Sequence, residues 1–334
     1  MSQTIKHYWE NSLAHLELLS KFVKPLSIYY IPESYRSPEW YEALKESSLD
    51  AIKRFIEEGF LVRPSLDELM EYKFTISDLK KFCAERGLLV SGKKGELVKR
   101  LITTDEPGMR KEVSDLQIVV CSDKGMVTAQ AYLEMRNAER QEAERSVNEC
   151  LKKRDFLQAV RVVAKYEEKQ VFHRGLGIDW GKQSMLPNPR DTHILKLIFE
   201  EIPTIAIGVN QQKLEEFRMA AGSMHLWGSE AEAKRIIKGI ESISEKYENL
   251  DFSRMLLSAA INKLDLLEYR EMAKGWGAGK KYMVEINTCN DEHVCIACER
   301  LAKKKYPLFG DVPELPNPNC SHACRCGYTL DLGY

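Results

Sequence analysis

Apolar residues recur at helical spacing along most of the chain. In PEWYEALKESSLDAIKRFIEEGFL, residues 38–61, Leu44, Leu49, Ile52 and Phe55 form a stripe, and Gly59 stands where a helix C-cap belongs. The same period predicts two long helices over residues 126–171, broken at Lys153-Arg154-Asp155 and folded back as an antiparallel pair. Small residues such as Ala129, Ala131, Ala138, Ala143 and Ala159 suit close helix packing there. Four more helical segments follow between residues 190 and 275, and Ser229 with Glu232 spells a capping box for the third. The β-branched run Leu116 to Cys121 is the exception and reads as a short strand or a buried link. No segment repeats at a fixed period. The expected fold class is mainly α, in several domains.

Composition narrows the class without naming a function. The chain has 334 residues, 30% charged and 44% hydrophobic, with a formal net charge of -1. A near-neutral chain does not coat nucleic acid along its whole length, so any basic surface must be local. Every apolar stretch is soon interrupted by Lys, Glu or Arg, which excludes a membrane span, and the N-terminal MSQTIKHYWENSLAHLEL lacks the apolar core of a signal peptide. A cytoplasmic location is the expectation. In a reducing compartment, clustered cysteines read as metal ligands before disulfides.

One window is basic. Between Lys73 and Ile102 there are eight Lys or Arg against three Asp or Glu. Within FTISDLKKFCAERGLLVSGKKGELVKRLITT, Thr75 or Ser77 caps a helix carrying Leu79, Phe82 and Cys83 inward, and Gly87 ends it. A short link leads to the turn Ser91-Gly92-Lys93-Lys94-Gly95, and a second helix carries Leu97, Val98, Leu101 and Ile102. Leu79, the Gly87-Leu88 pair, the Gly92-Lys93-Lys94 turn and Leu97 to Leu101 together resemble the SAP domain, a small helical DNA-binding module. The resemblance implies DNA as partner. Lys80, Lys81, Gly92, Lys93, Lys94, Lys99 and Arg100 are the DNA-contact candidates, acting mainly on phosphates. A solvated hairpin with surface lysines is the alternative.

Other motifs are weaker. IYYIPESYRSPEW offers aromatic faces for stacking on bases, but packing onto a helix explains it better. In VFHRGLGIDWGKQ, residues 171–183, His173, Arg174, Asp179 and Trp180 could line a site. The structural alternative, a glycine turn anchored by Phe172 and Trp180, is favoured. GWGAGKKY fails as a phosphate loop, because Gly275 and Gly279 lack the four-residue gap and Lys281 stands where Ser or Thr belongs.

Near the C-terminus, Cys295 and Cys298 form a CxxC, followed about 20 residues later by Cys320, His322, Cys324 and Cys326. Tetrahedral zinc takes four S or N donors, so these six exceed the need for one ion and leave the ligand set open. A deaminase site would require His-x-Glu and Pro-Cys-x-x-Cys, and a redox CxxC a βαβ setting; neither is present. The reading is a zinc knuckle with one structural Zn²⁺. Asp291, Cys295, Cys298, Leu301, Tyr306, Pro316, Cys324, Arg325 and Cys326 also resemble the C-terminal region of Mu F-like phage head-morphogenesis proteins. Cys320 and His322 depart from that pattern, where one His stands three residues before the Cys. Together the two resemblances imply a bacterial, prophage or mobile-element protein.

The expected organisation is an N-terminal helical region over 1–72, a SAP-like module over 73–104, a helical body over 105–275 and a Cys/His zinc-knuckle domain over 276–334. The expected function is sequence-tolerant binding of duplex DNA, with protein partners or self-association through the helical body. The alternatives are a DNA-tethered nuclease or other DNA-modifying enzyme, and a phage-type assembly scaffold. No clustered carboxylates, Walker loop or nucleophile–base pair is legible, so the non-enzymatic reading is preferred.

Overall fold

The structure is a computed structural model that describes residues 8–31, 33, 37–172, 188–241, 247–276, 281–289, 294–320 and 323–331. The described residues form thirteen α-helices and six short strands, so the mainly helical expectation holds. The chain divides into two compact units, Met1–Glu139 and Arg140–Tyr334.

The first unit contains α1 (Leu13–Ser20), β1 (Leu26–Ser27), α2 (Ser37–Leu44), α3 (Ser48–Glu57), β2 (Leu61–Val62), α4 (Leu66–Lys73), α5 (Ile76–Glu85), α6 (Lys94–Glu112) and β3 (Ile118–Cys121), and it ends within α7 (Asp123–Lys152). The β-branched run is a strand. It lies centrally in an antiparallel β1-β3-β2 sheet, with Leu26 opposite Val119 and Leu61 opposite Cys121. All four β3 residues are buried, which is why they read as one apolar run and not as an alternation. Trp9 sits edge-on to Phe55 and Phe60, each ring 4.7 Å away, and its indole N–H donates to Glu58 at 2.7 Å. Gly125 must be glycine, because a Cβ there would lie 2.0 Å from the Phe60 carbonyl oxygen.

The stripe over residues 38–61 is two helices. Lys45 takes a left-handed φ of 61°, and the Ser47 hydroxyl then accepts the Asp50 N–H at 3.1 Å, starting α3 afresh. Ser47 three residues before Asp50 was the cue; the apolar spacing ran through it. Leu44, Ile52 and Phe55 are buried as expected.

The second unit takes the rest of α7, then α8 (Phe156–Glu168), α9 (Pro189–Glu200), α10 (Gln211–Trp227), α11 (Ala231–Ile236), α12 (Asn249–Gly275), β4 (Met283–Asn287), α13 (Ile296–Ala302), β5 (Lys305–Pro307) and β6 (Gly327–Asp331). The break at Lys153–Asp155 holds, with Arg154 at φ 61° and Asp155 capping α8. Helix α10 packs on α9, α11 and α12, and Phe217 meets Phe252 edge-on at 5.1 Å. The third helical segment is much shorter than its pattern suggested. Ser229 does not cap it: Glu230 holds the N-cap position, and Glu232 is buried against Asn148 (2.8 Å) and Arg235 (2.9 Å). A tertiary hydrogen bond from Asn148, together with the ion pair to Arg235, took the carboxylate that a local cap would have used.

Strands β5, β4 and β6 form an antiparallel sheet with β4 central, Val284 facing Tyr306 on one side and Leu330 on the other. The helical reading missed this sheet, because its strands are three to five residues long and two are half-exposed. Helix α12 supports it. Asn262 donates to the Cys326 carbonyl at 3.2 Å, Tyr269 to Tyr328 O at 3.2 Å and Arg270 to Leu308 O at 3.0 Å.

Candidate nucleic-acid interface and metal centre

The basic window folds as a helix, an extended link and a second helix. Thr75 caps α5: its hydroxyl accepts the Asp78 N–H at 3.3 Å, while Asp78 accepts the Thr75 N–H at 2.9 Å. Gly87, at φ 64°, lets the chain leave α5. Leu79, Cys83, Leu97, Val98 and Leu101 are buried together with Leu69, Met70 and Met109, a core drawn from α4, α5 and α6. Arg100 donates to the carbonyls of Leu89 and Ser91 and so holds the link against α6. At the turn, Gly92 has φ 127°, a conformation side chains avoid, and the Lys93 N–H donates to Glu96 at 2.9 Å. Lys80, Lys81, Lys93 and Lys99 are exposed; Lys94 is half-buried, and its Nζ donates to the Glu71 carbonyl at 2.5 Å. Beyond the basic window α6 bends at Asp105, whose carboxylate accepts from Arg86 Nε (3.0 Å) and Nη2 (2.8 Å) and from the Gly108 N–H (3.0 Å). Those bonds, the Arg86 one foremost, hold Asp105 below its ordinary carboxylate range.

The C-terminal cysteines converge around α13. Cys295 stands at its N-cap, where its sulfur accepts the Cys298 N–H at 3.4 Å, the local geometry that makes CxxC a knuckle. Sγ of Cys320 lies 3.4 Å from that of Cys295 and 3.2 Å from that of Cys298, and Cys324 Sγ is 3.7 Å from Cys298 Sγ. Cys298, Cys320, Cys324 and Cys326 are buried. They enclose, with Cys289, Val294 and Arg325, a void of about 10 Å³. Two close triads result, Cys295–Cys298–Cys320 and Cys298–Cys324–Cys326, either of which could hold a metal ion. The donor set fits a soft or borderline cation: sulfurs this close cannot all ionise unless a cation offsets their repulsion. Bonds to Cys320, Cys324 and Cys326 accordingly push the Cys298 thiol up, while bonds to Cys298, Cys320 and Cys326, in that order, pull Cys324 down.

Comparison with known proteins bears on the first site. Residues 73–106 match the SAP domain. That match supports DNA binding in general terms. No curated protein and no solved structure matches the chain.

The SAP domain therefore coincides with the basic window legible in the sequence, and its residues are gathered on one small module. Of the six metal-ligand candidates, Cys295, Cys298, Cys320, Cys324 and Cys326 are brought together, whereas His322 lies outside the described residues. His173, Arg174, Asp179 and Trp180 also lie outside them. Two roles were not legible. The Lys94 bond to Glu71 reaches outside the SAP helices, and Cys289 lines the cysteine void although it belongs to no paired motif. Among the described residues no helix is long and apolar enough to cross a membrane.

Proposed function

We propose that this chain binds duplex DNA with little sequence preference through its SAP domain, and that structural Zn²⁺ in the cysteine cluster stabilises its C-terminal part. The observation that carries the reading is the SAP match together with the exposure of Lys80, Lys81, Lys93 and Lys99 on its two helices and turn. Flexible ammonium groups suit phosphate oxygens, whose spacing is the same in every sequence. Arg100 contributes by holding the link, and Lys94 by its charge beside the turn. The protein is of bacterial, prophage or mobile-element type and acts in the cytoplasm, with the helical second unit available for protein partners or self-association. These statements rest on the C-terminal motif and the charge pattern.

Fluorescence anisotropy with several unrelated duplexes, across a salt series, tests the proposal. Similar affinities that fall steeply with salt are expected. Affinity that is absent at low salt, or confined to one duplex, would refute it. A metal-dependent nuclease assay on the same samples tests the alternative; inert DNA with binding intact removes the enzyme.

A further inference from the structure

We infer that a cavity lined by α9, α12 and the C-terminal part of the second unit binds a small apolar amino acid in its zwitterionic form. The cavity has a volume of about 410 Å³, and none of its lining residues is a cysteine or belongs to the SAP domain. Small-molecule sites run from about 300 to 1,000 Å³ and are mostly apolar with a few placed polar groups. This one has that character. Leu197 and Ile198 come from the end of α9, Leu256 and Ala260 from α12, and Leu315 and Tyr328 from the C-terminal part. Ile202 and Leu267, which also line it, are 58% and 43% exposed, apolar surface that a ligand would cover.

Four charged residues line the cavity, two of each sign. Lys263 and Glu201 neutralise each other at 2.8 Å. Glu314 accepts the Thr204 N–H at 3.0 Å and the Thr204 hydroxyl, bonds that fix the carboxylate without cancelling its charge. Arg270 donates from Nε to the Leu308 carbonyl at 3.0 Å. That bond orients the guanidinium and leaves both Nη groups without a carboxylate among the described residues. Arg270 and Glu314 do not pair with each other, yet both act on the Tyr328 hydroxyl. Burial holds that hydroxyl above its ordinary value, Glu314 raises it further and Arg270 lowers it. The cavity therefore offers one anchored anion and one anchored cation among apolar walls.

Charge complementarity selects the ligand class. The four charges sum to zero, so an ion of a single sign would gain from one uncancelled residue and be repelled by the other. A zwitterion meets both. Its carboxylate takes the planar fork of the Arg270 Nη groups, and its ammonium takes the lone pairs that Thr204 leaves on Glu314. An apolar side chain on the same molecule then covers the leucine and isoleucine walls, with a gain that grows with the area removed from water. A charged side chain would enter that apolar space unpaired, and a very small one would bury too little.

The probes are phenylalanine and leucine, added to the full chain and followed by calorimetric titration and thermal unfolding. Saturable binding and a raised melting midpoint are expected. Phenethylamine lacks the carboxylate and hydrocinnamate lacks the amine. Each should bind about tenfold or more weakly than phenylalanine, because one charged partner goes unmet. Arg270→Gln and Glu314→Gln should each weaken phenylalanine by a similar factor, while phenethylamine should bind Arg270→Gln at least as well as the parent. No binding of either amino acid would overturn the site. Phenethylamine or hydrocinnamate matching phenylalanine would overturn the zwitterion. Both comparisons use the parent chain, so neither depends on whether a variant folds. Full phenylalanine affinity in both variants would place the binding elsewhere and overturn the assignment as well.

Discussion

The SAP core and the C-terminal core are of similar size but of different chemistry. Ten buried residues make the first, and nine of them carry hydrocarbon or thioether side chains, Cys83 being the exception. In the second, Cys298, Cys320, Cys324 and Cys326 take four of eleven buried places. Burial of apolar area stabilises the first without help. A buried thiol cluster gains less from burial and resists ionising, so on the proposed reading a cation completes the second core. The difference teaches that a small core of hydrocarbon side chains is stabilised by burial alone, whereas one rich in thiols offers donors that a cation would use.

Metal removal should break the comparison most. Zinc binding is worth on the order of 10 kcal/mol in small zinc domains, so a strong chelator should unfold β4–β6 and α13 while leaving α4–α6 protected in hydrogen exchange. Equal loss of protection in both regions would show that the two cores do not differ as described. Next in size is Leu97→Ala, which empties a fully buried position of the SAP core and should cost about 2–5 kcal/mol. Denaturant melts and DNA titrations should then show weaker folding and binding, with metal content unchanged.

Smaller effects sharpen the roles of individual charges. Lys93→Ala should lower the salt slope of DNA binding by about 0.9 and weaken all duplexes alike. Lys94→Ala should change the slope less, because its Nζ is engaged by the Glu71 carbonyl; the reverse order would put the phosphate contact on Lys94. The smallest effect concerns pH. The bonds from Arg86 and Gly108 depress the Asp105 carboxyl, so its stabilisation is present above the unfolded carboxylate value near about 4 and is lost as pH falls through the lower folded value. Melting curves taken at falling pH should drop less steeply for Asp105→Asn than for the parent chain, and parallel curves would deny Asp105 that role.

Local chemistry made some of this legible in advance. The Thr75 cap, Gly87 and the Gly92 turn need no partner beyond a few residues, so the SAP module could be recognised from the residues alone. CxxC was equally readable, because an N-cap cysteine and its i+3 neighbour are set by one helical turn. The Lys45 break hid behind an uninterrupted apolar stripe, since core contacts on α2 and α3 share one period although the backbone does not. Strands of three to five residues, paired only with segments far along the chain, left too short a pattern to read.

The sequence by itself determined helix periodicity, the caps and turns of the SAP module, the position of its basic charge and the supply of sulfur ligands. These depend on neighbours within a turn or two. Only the tertiary structure decided that Glu232 is held by Asn148 in place of capping, that β4 lies between β5 and β6, and that Cys320 comes up against Cys295 and Cys298. Those outcomes depend on contacts between residues distant along the chain, and local propensity cannot set distances of that kind.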